Sequence, residues 1–176
     1  MKRALLGLSF AAFFSASAFA AEGEKSFLAI SRQDLTDGKT LAARMIDEAA
    51  GPLLNEAAAL EVENKDVDAL RYRYAAAAFT MTENDVQHYC LMRMLVHACT
   101  EESRKSLDLL MAWLTREIVY LQKKNADLAE WGKTDGPDDS RFRGLFEKGM
   151  NISQRSEEYL QSQLIQLEIF KKERFS

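Results

Sequence analysis

The 176-residue sequence is poor in the residues that punctuate or cross-link a chain: two prolines, eight glycines, two cysteines and two histidines. With proline only at Pro52 and Pro137, long stretches run without a helix breaker, and few β-branched residues alternate with polar ones as strands require. Two cysteines exclude a disulfide-dense scaffold, so an apolar core has to hold the fold together. Both histidines sit on one short segment, and there is no Gly-x-Ser-x-Gly elbow, no glycine-rich phosphate loop, no Cys-x-x-Cys pair and no Cys-x-x-Cys-His haem site. No catalytic residue and no cofactor is therefore assigned, and an enzyme is not expected. Cations are not clustered and the formal charge is −4, which argues against nucleic acid or an anionic membrane as partner.

What is present begins with a leader. Met1-Lys2-Arg3 is a basic start, Ala4 to Phe14 is apolar, and Ala18-Phe19-Ala20 has the small-x-small form of a cleavage site, so residues 1–20 read as a secretory signal peptide. The apolar part is too short for a bilayer span of about 20 residues, and no other apolar run approaches that length. Loss of Lys2 and Arg3 leaves 21 cations against 27 carboxylates, a charge of −6. An exported chain compatible with a bacterial periplasm is expected, with no membrane span in its mature part.

Residues 21–38 read as a flexible or extended lead and 39–176 as a single domain, all-α. Capping residues at Ser31, Asp34, Thr36 and Asp37 precede a helix expected from Lys39 to Ala50, which Gly51-Pro52 closes or kinks. Leu53, Ala57, Leu60, then Val67, Leu70 and Tyr74 mark the next apolar positions, with Tyr74 expected inward and a break near Asn64-Lys65-Asp66. The alanines 75–78 suggest a close helix approach. Thr82-Glu83-Asn84-Asp85 has capping-box form and predicts a helix start near Glu83; Thr100 to Ser103 predicts another. Leu107, Leu110, Leu114, Ile118, Leu121 and Leu128 give an amphipathic helix from Ser103 to Glu130, with Gly132 as its stop.

After a loop at 133–139 a last helix is expected from Ser140 to about Arg174. Together these two form a long antiparallel C-terminal hairpin of a helical bundle. Residues whose numbers total about 271 should lie level, setting Trp113 beside Ser156 to Glu158. Gly149, Ser153 and Ser156 make a small-residue dent for Trp113 or another helix to fill. The apolar tip Ile169-Phe170 is a candidate homodimer contact.

His88 to Cys99 concentrates the chemistry. Cys90 and Cys99 can form a disulfide only if the backbone reverses near Leu95 to His97, because nine residues of continuous helix separate them by about 13.5 Å. The alternative is a soft-metal site for copper from His88, Met92, Met94 and His97. The function expected first is a non-enzymatic module that binds another protein, of immunity or inhibitor type, its acidity suited to a basic envelope enzyme. A periplasmic helical chaperone stands second and the copper binder third.

Overall fold

The computed structural model describes residues 30–99 and 104–175, with the side chains of 95–99 outside that description. The expected leader, the cap at Thr100 to Ser103 and the side chains of His97 and Cys99 therefore lie outside the described residues. The described residues are helical apart from the short connections between helices, with no strand among them. The elements are α1 (Arg32–Met45), a π-helical turn (Ile46–Ala50), α2 (Gly51–Val62), α3 (Asp66–Cys99), α4 (Arg104–Thr134) and α5 (Ser140–Phe175). The last of these, at 36 residues, is about 54 Å long.

The first helix starts at Arg32 rather than Lys39, because the Ser31 side chain accepts the Asp34 N–H and caps it. Gly38 is buried inside α1, where a Cβ would meet Cys90 Sγ and Tyr159 Oη, each at 2.8 Å. Gly51-Pro52 does not end the helix. Pro52 has no N–H for the carbonyl four residues back, and the backbone widens into the π turn just before it, so α1 and α2 form one path.

The break expected at Asn64 is present: Lys65 N–H bonds the Leu60 carbonyl at 2.9 Å, and Asn64 takes φ 59°. From Asp66 the chain then runs unbroken for 34 residues. The helix start expected at Glu83 is thus absent, and Thr82 Oγ1 bonds back to the Ala78 carbonyl at 3.5 Å inside the helix. Gly132 likewise stays within α4, its missing side chain making room for Phe146, whose Cε1 would lie 2.5 Å from a Cβ there. Asp139 ties the hairpin to the rest: Oδ1 accepts the Phe142 N–H at 2.7 Å and Oδ2 accepts the Tyr72 hydroxyl at 2.8 Å.

Four antiparallel rods result, α1–α2, α3, α4 and α5 in ring order. The parallel diagonal pair α3 and α5 meet across the middle, whereas α1 and α4 do not approach each other. The small-residue dent is filled by α3, with Phe79 over Gly149 and Thr82 bonded to Ser153 at 3.2 Å. Asn125, expected beside position 146, lies beside Ser153, and Gln122 beside Glu157, so the hairpin is out by seven or eight residues from the expected register. Trp113 instead meets His88 and Tyr89 on α3.

The core has two apolar halves. One gathers Met45, Leu53, Phe79, Phe142 and Ile152; the other gathers Tyr89, Leu107, Leu114, Leu121 and Leu160. Buried Ala49, Ala57, Ala69, Ala75 and Ala76 let α2 and α3 pack closely.

Candidate interaction surfaces

The residues of the cysteine segment do not converge. His88 is exposed with its ring edge-on to Trp113, centroids 5.2 Å apart. Cys90 points the other way, 4% exposed, with its sulfur 3.6 Å from the Tyr159 hydroxyl, which donates to the Asp34 carbonyl at 2.9 Å. Burial pushes the thiol up from its ordinary range, leaving it a poor nucleophile. Met92 and Met94 are half-buried against the core.

The disulfide reading needs correction: α3 runs on through Cys99 without the reversal near Leu95 to His97, and Cys90 is a free thiol. Across nine residues of one helix the two Cα atoms are about 13.5 Å apart, beyond the roughly 7 Å a bridge tolerates. As for the copper set, His88 faces solvent while Met92 and Met94 face the core, and among the described residues no three His, Cys, Asp or Glu side chains gather as a metal site.

Polar groups inside the bundle are bonded to one another between helices. Asn125, Ser153 and Thr82 join α4, α5 and α3, and Arg93 donates to Tyr89, which donates to Gln163, at 2.7 and 2.9 Å. Lys124 reaches Asp85 at 2.9 Å in a largely buried pair. Beside it, burial and then Asp85 raise the Glu117 carboxyl. These bonds fix which residues face one another, since slipping a helix would leave buried donors unmet.

Two outer surfaces stand apart from this filled interior. The first is a groove of about 1330 Å³ along the outside of α4 and α5. Ala126, Ala129, Gly132 and Met150 line it over the rings of Phe142 and Phe146. It follows α5 from Phe142 to Gln161, about 28 Å. Both cations that reach it already have carboxylate partners, Lys133 with Glu130 and Arg143 with Asp138. Glu157 is held by N–H groups of Gln122, Asn125 and Gln161 and, like Glu147 and Glu158 beside it, has no ion-pair partner among the described residues. The uncompensated charge of the groove is negative.

The second surface is the outward side of α3. Val67, Leu70, Tyr74, Ala77, Met81, Asn84, His88 and Leu91 are all exposed, with Val67 at 66%, Leu70 at 65% and Tyr74 at 54%. Tyr74 was expected inward, but Tyr72 takes that place at 3% exposure, in edge contact with Phe142. Tyr74 lies over Trp131 at 4.6 Å instead. The reversal follows from an inner line of Ala69, Tyr72, Ala76, Phe79 and Val86, which packs closer than Val67, Leu70 and Tyr74 could. The expected dimer tip splits: Ile169 is exposed, while Phe170 packs against the core.

Neither surface was found from sequence. The outward line of α3 was readable in its alternating steps of three and four, but a helix start placed at Glu83 cut it in two. No family model, no curated protein and no solved structure matches the chain.

Proposed function

We propose that the protein is an exported, non-enzymatic helical module that binds a basic segment of another protein along the α4–α5 groove, as an immunity or inhibitor protein does. The observation that supports this is the groove itself: an apolar floor margined by carboxylates that no cation among the described residues neutralises. A helix of 10–12 Å diameter with a leucine face and lysine flanks suits that floor and those margins. Opposite charge would speed encounter and set orientation, and floor contacts would supply the affinity. A basic envelope enzyme fits as the owner of the segment. The chaperone reading has less support, because the exposed apolar line of α3 is one helix wide and not a concave surface.

Calorimetric titration with a synthetic 20-residue leucine-lysine amphipathic peptide tests the proposal. Binding near micromolar is expected, weakened about tenfold or more by Glu157→Gln with Glu158→Gln and by high salt. A leucine-glutamate peptide of the same pattern should not bind. Equal binding of both peptides, or no effect of the two substitutions, would remove the groove from consideration.

A further inference from the structure

The eight outward residues of α3 are spaced 3, 4, 3, 4, 3, 4, 3 from Val67 to Leu91. That is the a/d spacing of a coiled-coil seam, and it extends about 36 Å without a charged residue in a chain that is 28% charged. A surface helix normally carries its apolar stripe inward and charge outward; α3 has an apolar line on both sides. We infer that a second copy of the chain docks on this seam, α3 against α3, as an antiparallel two-helix coiled coil.

Self-complementarity of the seam selects a second copy. Antiparallel pairing about position 79 sets Val67 against Leu91 of the second copy, Leu70 against His88, Tyr74 against Asn84, and Ala77 against Met81. The layers thus set valine against leucine, leucine against the face of an imidazole, phenol against amide, and small against large. The parallel alternative would stack Tyr74 on Tyr74 and Ala77 on Ala77, a wide layer next to an empty one. For two acidic chains, this uncharged strip lets them approach without setting like charges together.

Sedimentation equilibrium of the purified protein at micromolar concentration should give twice the chain mass. Leu70→Glu and Met81→Glu, at positions exposed in the single chain, should each weaken the dimer about 30-fold or more while helicity stays unchanged. Leu54→Glu, exposed on α2 away from the seam, should leave it intact. A monomer under these conditions, or a dimer indifferent to both seam substitutions, overturns the inference. For direction, in a Cys99→Ser background, Val67→Cys mixed with Leu91→Cys should cross-link on oxidation and neither alone should. Cross-linking of Val67→Cys by itself would overturn the antiparallel arrangement.

Discussion

Substituting Gly149 by alanine probes the diagonal contact on which the bundle turns. A Cβ at Gly149 would meet three ring carbons of Phe79, the farthest at 2.7 Å. Phe79 is fully buried and lies against Phe146, ring centroids 5.7 Å apart, so it has nowhere to swing. Alanine in a helix interior gains about 1 kcal/mol over glycine. Overpacking a tight core costs about 1–3 kcal/mol, and three contacts below 3 Å put this site at the upper end. The net loss is about 2 kcal/mol, a Tm lower by about 4–8 °C for a chain of this size.

Gly144, four residues into the same helix, supplies the control, because a Cβ there meets nothing within 4 Å. Gly144→Ala should raise stability by up to about 1 kcal/mol. Since helix propensity is common to both, the difference between the two variants isolates the contact with Phe79. Urea unfolding followed by circular dichroism measures it. Pairing Gly149→Ala with Phe79→Leu should cost less than the two single losses together. If Gly149→Ala is as stable as Gly144→Ala, α3 and α5 do not meet at Phe79 and the diagonal packing is wrong.

Other consequences can be measured on the same protein. Burial raises the Glu83 carboxyl, so folding favours its protonated form. The stability it contributes is full below the unfolded value near 4.5 and is lost as pH rises through the folded value. Glu83→Gln should therefore raise Tm by about 2 °C at pH 7, with the gain fading toward pH 4, and a gain constant with pH would contradict this. Cys90 should resist alkylation in the native protein and react in denaturant without reductant; a thiol that stays blocked until reduced would show that it is bridged. Asn64, at φ 59°, should tolerate glycine and lose about 1 kcal/mol to alanine in thermal melts, and equal stabilities would speak against the left-handed turn.

Much of the fold was legible because the long helices carry their core on one face. The six apolar residues read from α4 are the six that are buried, and Phe142, Gly149, Ile152 and Leu160 of α5 lie inward as their spacing requires. Local signals failed where tertiary packing overrode them. Pro52 marks a π turn within a continuing path, Thr82 bonds across to Ser153 instead of capping, and Gly132 yields space to a ring instead of ending a helix.

For α3 the sequence offered two apolar lines, Val67-Leu70-Tyr74 and Ala69-Tyr72-Ala76, and spacing alone does not say which faces in. Close packing against α2 chose the line with the alanines. The groove was not legible because it depends on the hairpin register, which loop arithmetic misplaced by seven or eight residues.

Hydrogen exchange with and without the leucine-lysine peptide tests most directly the claim that this molecule works through its α4–α5 surface. Added protection should appear over 126–136 and 142–158 and leave α1 and α2 as they were. Protection confined to other helices, or none at peptide concentrations that saturate calorimetric binding, would contradict the claim.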